Sequence, residues 1–282
     1  MKLVRFGASG KEKPGLVDED GTIRDLSGII QAIDADVLSD RALARLAKIK
    51  PSSLPAVPAR TRLGSPVPMP YNFIAVGMNY ADHAAETGMP TPKEPILFTK
   101  SPGSLCGPND DVRIPKGSRK LDWEVELAFV IGKGGDHIPR KTALDHIAGY
   151  MICNDVSERA FQMEGTGQWL KGKSAPTLGP CGPWLVTRDE IANPQKLGLW
   201  LDVDGKRMQT GSTANMIFPV RDLVAYVSRF LTLLPGDIVT TGTPPGVGMG
   251  RNPKVFLKAG NVMTLGIDGL GAQRQKVVRP RA

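Results

Sequence analysis

The chain has 282 residues, enough to bury one large core or a main domain beside a small one. Hydrophobic residues make up 41% and charged residues 23%, the balance of a soluble globular protein, and no apolar run is long enough to span a bilayer. The net charge of +8 permits nucleic-acid binding. However, the basic residues are scattered among acids, and only Arg274 to Arg281 forms a basic tail, without interleaved aromatics. Attraction of an anionic substrate or plain solubility accounts for the charge as well, and no nucleic-acid or membrane partner is expected.

Residues 1–62 read as a small N-terminal module. Short strands are expected near 3–6 and 14–17, with a turn at Asp18 to Gly21. Leu43, Leu46 and Ala47 at helical spacing predict a helix within 39–49, capped by Ser39. Residues 51–70 are proline-rich and read as a linker. The remainder, 63–282, is strand-rich and punctuated by Gly and Pro. Strands are expected near 73–77, 96–99, 121–131, 148–155, 184–187, 199–203, 238–241 and 262–267. The best helical pattern runs from Pro219 to Leu234, with Gly236 beyond it. Regular strand–helix alternation is absent, which argues against a doubly wound sheet. Cys106, Cys153 and Cys181 are odd in number and lack metal-type spacing. They read as reduced thiols of a cytoplasmic protein, and Met1 opening onto a charged, strand-like segment supports the same expectation.

The segment Leu121 to Ile131 alternates like a half-buried strand. Trp123, Val125 and Leu127 point one way, and Asp122, Glu124 and Glu126 the other. Adjacent carboxylates in an apolar run repel, and burying them is costly without a partner. A divalent cation such as Mg²⁺ or Mn²⁺ is one partner. A solvated face of an edge strand is the alternative. A second apolar run, Tyr150 to Val156, delivers Asp155 near its end. Two adjacent strands would then aim Glu124, Glu126 and Asp155 at one point, although a capping Asp is also common.

Three further segments hold chemistry-bearing residues. Gly167 to Ser174 matches the Walker A pattern, but no buried strand precedes it and a proline-rich run follows, so a nucleotide site is not expected. Lys173 reads instead as a lysine on a rigid loop, suited to an oxyanion or carboxylate. His83 and Glu86, three apart, would share a helical face, as in a general base oriented by a carboxylate; a surface salt bridge is the bland alternative. The run Leu234 to Gly248 ends a strand in a Thr/Gly/Pro loop whose hydroxyls and amides could hold a carboxylate, or form a plain hairpin.

Taken in order, five segments resemble the fumarylacetoacetate hydrolase family: Gly77 to His83, Asp122 to Leu127, Asn154 to Arg159, Gly172-Lys173-Ser174, and Pro235-Gly236-Asp237 with Thr241 to Pro244. The likeness covers 72–250 and extends into the N-terminal module. This is similar to the long bacterial members named ureidoglycolate lyase-like or diketo-deoxy-sugar-acid hydrolases. It implies an α+β, β-rich fold in which a mixed β-sandwich and β-roll domain acts as a homodimer. It places the metal ligands on Glu124, Glu126 and Asp155, the lid dyad on His83 and Glu86, and the active-site lysine on Lys173. Substrate contacts fall on Gln162, Thr177 and Thr243. Pro176 departs from the family pattern, which usually has Asp before that threonine. The implied reaction is Mg²⁺- or Mn²⁺-dependent hydrolysis of the C–C bond of an anionic 2,4-diketo acid. The leading substrate is 2,4-diketo-3-deoxy-L-rhamnonate or fuconate, giving pyruvate and lactate. A lyase acting on ureidoglycolate, an oxaloacetate decarboxylase or a 2-oxo-4-enoate hydratase would use the same scaffold; a binding protein that kept the scaffold is the non-enzymatic alternative.

Overall fold

The computed structural model describes residues 1–82 and 90–280. Its main sheet has 11 strands, the central path running Ile23–Asp25, Lys13–Val17, Lys2–Phe6, Gly179–Thr187, Ile147–Asn154, Val125–Ile131, Ile238–Thr240, Phe73–Gly77 and Ile96–Lys100. Most neighbours are antiparallel, but Ile238–Thr240 runs parallel to Phe73–Gly77, so the sheet is mixed. A second sheet of 5 strands is ordered Lys206–Ser212, Gly198–Val203, Val262–Ile267, Gly271–Val278 and Val112–Arg113. Its first hairpin turns on Asp204 and Gly205, both with positive φ (52° and 77°), which suits the tight turn that matches strand twist.

Two apolar cores flank the main sheet. Val125, Leu127, Phe129 and Ile131 face a core shared with Leu199, Leu201, Leu265 and the helix Val220–Val227. Ala128 and Val130 face the other way, onto a core built with Leu3, Leu16, Leu26, Leu38, Leu43 and Leu46. The first 62 residues thus share a core and a sheet with the rest, since Lys2 and Leu3 pair with Val186 and Leu185. The Ser39 cap forms as expected: its hydroxyl accepts from the Ala42 amide at the start of the helix Asp40–Leu46. Among the described residues no helix is long and apolar enough to cross a membrane.

Three expectations are corrected. The strand expected at 121–131 is interrupted: Leu121–Asp122 pairs with Ser157–Glu158, and Val125–Ile131 pairs with Ile147–Asn154. Its whole length is buried on both faces, because each face meets a core, so the alternation did not mark a solvated side. The strand expected at 184–187 begins at Gly179 and includes Pro180 and Pro183. Pro183 lies where the pairing with Ile147–Asn154 shifts register, between Tyr150↔Val186 and Ile152↔Gly182, so its missing N–H is not needed there. The helix expected at 219–234 stops at Val227. The apolar spacing beyond it serves a loop in which Leu233 is buried and bridges Gly135, while Phe230 is exposed.

Candidate active site

The carboxylates meet because of strand register. Val125 pairs with Asn154, and one step further the Asp155 amide donates to the Glu124 carbonyl (2.9 Å), which sets those two residues opposite each other. Glu126, two residues along, faces the same side. Glu124, Glu126 and Asp155 each offer an oxygen within 4.8 Å of the others, and all three side chains are buried. The solvated-edge alternative is thereby excluded, because these acids are buried, with at most 6% of their surface exposed.

Cations surround them. Lys173 Nζ donates to Glu124 Oε2 (2.7 Å) and to Asp155 Oδ2 (2.7 Å). Lys100 Nζ donates to Asp155 Oδ1 (2.6 Å) and to the Lys173 carbonyl (2.6 Å). Arg159 spans the group, reaching Asp122 Oδ2 (2.9 Å), Glu124 Oε1 (2.5 Å) and Gln162 Oε1 (3.0 Å). Burial alone would raise the Glu124 pKa, but the charges of Arg159 and Lys173 outweigh it and hold the carboxyl below its ordinary value. Glu126 moves the other way, pushed well above the ordinary value by burial and then by the charges on Asp155 and Glu124. Burial lowers the Lys173 pKa, yet Asp155 and Glu124 raise it overall and keep the ammonium charged. Four carboxyl groups, counting Asp122, therefore face three cations, and Glu126 is the one whose charged form is disfavoured.

That donor set fits a divalent metal. The three acids supply hard oxygen atoms, the ligands that Mg²⁺ and Mn²⁺ take, and a bound cation would offset the surplus charge. A carboxylate oxygen bonded to lysine keeps a second lone pair, so the ion pairs do not use up the ligands.

Loops close the cavity around this cluster. After Ile238–Thr240, the chain runs back along Val125–Ile131: the Thr241 hydroxyl donates to the Leu127 carbonyl, Gly242 N donates to Glu126 Oε2 (2.8 Å), and Thr243 Oγ1 donates to the Val125 carbonyl (2.9 Å). Gly242 has φ +90°, and a Cβ there would lie 2.9 Å from that of Asn79, so a side chain is excluded. Asn79 in turn clamps the Thr241 and Phe218 carbonyls. Two short helices, Arg159–Met163 and Trp169–Lys173, form another wall. They touch at Gly172, where a Cβ would meet the Glu158 carbonyl at 2.5 Å. The glycine of the Walker-like run thus serves helix contact, and its lysine is held by carboxylates, which leaves no phosphate cradle. Lys173 ends a helical turn; the expected rigid loop is corrected.

One cavity of about 510 Å³ contains Glu124, Glu126, Asp155, Lys173, Gln162 and Thr243, with Arg159, Phe98, Trp169, Met249 and Arg251 also in its walls. Thr243 uses its hydroxyl internally, donating to Val125 and accepting from Gln209 Nε2 (2.8 Å). Thr177 is elsewhere: it has φ +70°, its hydroxyl accepts from the Arg113 amide (2.8 Å), and it lines a separate cavity with Pro176 and Arg113. His83 and Glu86 lie outside the described residues. Sequence reasoning missed Lys100 and gave no role to Arg159. Arg159 stands four residues after Asp155, a usable signal; Lys100 is a lone lysine ending a strand and offered none.

Residues 72–278 match the family described as fumarylacetoacetate (FAA) hydrolase C-terminal. A protein of Burkholderia ambifaria, named as a candidate hydrolase, is 58% identical over 276 residues, 98% of each chain. Among solved structures, the 5-carboxymethyl-2-hydroxymuconate delta-isomerase of Mycobacterium smegmatis is 30% identical, with a TM-score of 0.79 and 100% of both chains covered. The maleylpyruvate hydrolase of Sphingobium sp. SYK-6, solved with manganese(II) and pyruvate, is 28% identical, with a TM-score of 0.83 and 100% of both chains covered. With that profile spanning most of its length and a strand order that brings the acids together, the chain belongs to the fumarylacetoacetate hydrolase family.

Proposed function

We propose that the protein is a metal-dependent hydrolase that cleaves the C3–C4 bond of a 2,4-diketo acid and releases pyruvate. The observation that carries this reading is the convergence of Glu124, Glu126 and Asp155 at the buried end of a cavity, with Lys173 bonded to two of them. The Sphingobium neighbour, a maleylpyruvate hydrolase holding manganese and pyruvate, supports it.

Glu124, Glu126 and Asp155 would hold Mg²⁺ or Mn²⁺. When bound, such an ion supplies Lewis-acid stabilisation of negative charge on the 2-oxo oxygen. The other roles fall to side chains. Lys173, kept cationic by its carboxylates, steadies the oxyanion that develops as the C–C bond breaks. Arg159 fixes Glu124 and Gln162 together, and Gln162 presents an amide to the substrate. Thr243 forms part of the cavity wall, its hydroxyl already engaged with Val125 and Gln209. His83, oriented by Glu86, takes a proton from the water that attacks the C4 carbonyl. The enolate of pyruvate leaves and is protonated at C3, and the C4 fragment departs as a carboxylic acid. The deoxy-sugar acids expected above and diacid substrates share this 2,4-diketo head; they differ in the distal end.

Pyruvate release from acylpyruvates, oxaloacetate and diketo-deoxy sugar acids, each with Mg²⁺, with Mn²⁺ and with chelator, tests the reading. Chelator-sensitive release from the diketo acids is expected. Release from oxaloacetate alone would make the protein a decarboxylase, and silence across the panel with metal bound would sink the hydrolase reading. The homodimer and a cytoplasmic place belong to the same proposal, and light scattering in solution tests the former.

A further inference from the structure

One strand holds Lys173 at both its backbone and its ammonium. On Ile96–Lys100, alternation puts Phe98 and Lys100 on the same face. Lys100 Nζ donates to the Lys173 carbonyl (2.6 Å), and the Lys173 ammonium lies over the Phe98 ring, 5.1 Å from its centroid. That distance is within the reach of a cation–π contact.

The ring is itself fixed. Trp169 and Lys173 stand at i and i+4 on one short helix, so they share a face, and Phe98 packs against both. The Phe98 and Trp169 centroids are 5.2 Å apart, with their planes at 65°. Trp169 in turn lies against Gly77, which pairs with Ile96 on the neighbouring strand. A Cβ at Gly77 would fall 2.4 Å from Trp169 Cζ3, so the indole occupies the space that a side chain would need. Gly77, Phe98, Trp169 and Lys173 all border the cavity.

A ring in this place meets a specific need. An ammonium has three N–H donors. Lys173 gives two of them to Glu124 and Asp155, and among the described residues no oxygen takes the third. A further carboxylate beside Lys173 would add to acids that already outnumber the cations, and it would occupy the donor that an oxyanion needs. The π face of Phe98 stabilises positive charge, brings no charge of its own and accepts only weakly. It also offers no ligand atom, so its hold on Lys173 persists when Glu124 and Asp155 share their oxygens with a divalent ion.

We propose that Phe98 is a positioning residue for Lys173: its ring, braced by Trp169 over the bare Gly77, steadies the ammonium and leaves the third N–H to the oxyanion. This rests on the reading of Lys173 as the group that stabilises the oxyanion. Phe98 acts through Lys173 and makes no bond to the reacting atoms.

Fluorination tests it, because each fluorine withdraws negative charge from the ring face while changing its size little. In the full-length protein, Phe98 is replaced by 4-fluoro-, 3,5-difluoro- and 3,4,5-trifluorophenylalanine, with Phe98→Leu as the variant that lacks a ring. Calorimetric binding of oxalate with Mn²⁺ present is read first, since oxalate is a planar dianion with oxygens arranged like those of the pyruvate enolate. Then kcat and KM for pyruvate release are read. Oxalate affinity and kcat are expected to fall stepwise with the number of fluorines while KM changes little. The trifluoro ring should lose about 3- to 30-fold in each, the range of a cation–π contact, and Phe98→Leu at least as much. A ring that serves only as an apolar wall would be indifferent to fluorine. Oxalate affinity that stays level across the series, or that drops only in Phe98→Leu, therefore overturns the proposal. Tighter oxalate binding with each fluorine overturns it too, since the ring would then compete with the anion for the ammonium. A graded loss of oxalate affinity without cleavage of any diketo acid defeats the hydrolase reading and leaves Phe98 steadying Lys173 toward an anion. No oxalate binding by the metal-loaded wild type defeats both.

Discussion

Two clusters of acids and bases stand at opposite ends of the energetic scale in this molecule. In the N-terminal layer, Glu12 pairs with Arg5 (3.0 Å) and Arg62 (2.8 Å), and Arg62 pairs with Asp110 (2.6 Å). Two acids face two bases there, and Arg62 and Asp110 keep partial contact with water. In the cavity, Asp122, Glu124, Glu126 and Asp155 face Lys100, Arg159 and Lys173, nearly all without solvent. The first cluster is neutral as it stands and needs nothing added. The second carries a surplus carboxylate in a place where unpaired charge costs several kcal/mol. A structural ion network and a site that calls for a ligand thus differ in charge balance and burial, while both use the same residue types.

The largest effect should come from breaking the buried pairs. Glu124→Gln takes a charged partner from both Arg159 and Lys173, leaving them Asp122 and Asp155, and removes a ligand. It is expected to abolish metal-dependent turnover and to destabilise the protein by about 3–5 kcal/mol, read by urea unfolding in chelator. Unchanged stability would mean that the cluster is softer than its burial implies. His83→Ala should cost about 100- to 10,000-fold in kcat while Mn²⁺ binding stays intact in a titration. Loss of metal binding in that variant would move His83 from the base role to the ligand set.

Glu126→Gln separates charge surplus from packing. The amide can keep the bond from Gly242 N and removes the fourth acid. Metal affinity should fall by at least about 100-fold, more than the loss expected when only an outer partner of a ligand is removed. The metal-free protein should gain about 1 kcal/mol in chelator, the reverse of Glu124→Gln, since it no longer buries an unbalanced carboxylate. A melt in which both variants lose stability equally would erase the distinction between balanced and surplus acids.

Much of the acid cluster could be read without coordinates. Two glutamates at i and i+2, with an aspartate ending the next apolar strand, suffice to place three carboxylates on one side, because strand geometry has period two. Burial was hidden for the same reason. A strand covered on both faces and one with a wet face can share an alternating pattern when the polar positions are filled by paired charges, as at Glu124. Lys100 went unseen because its role arises from the meeting of Ile96–Lys100 with the helix Trp169–Lys173, a contact between distant parts of the chain. The helix around Lys173 was obscured by flanking glycines and prolines, and the stop at Val227 by apolar residues that the next loop also buries. Thr177 was placed by likeness to a motif, and its neighbours in space, Arg113 and Pro176, face another cavity.

The smallest effect belongs to the balanced cluster, and its pH dependence has a definite sign. Burial would raise the Glu12 pKa, but hydrogen bonding and charge from Arg62 and Arg5 bring it below the ordinary value. A carboxyl whose pKa is lower in the folded state contributes stability that is fully present above its unfolded value of about 4.3 and is lost as pH falls through the folded value. Glu12→Gln should therefore cost about 1 kcal/mol near pH 7, and the gap from wild type should close as the pH is lowered below 4. Metal binding and turnover should not change, because Glu12 lines a different cavity from Glu124. A gap that stays constant down to low pH would show that Glu12 acts through packing. A loss of metal affinity would show that the two clusters are coupled through the shared sheet, and charge balance would then no longer distinguish them.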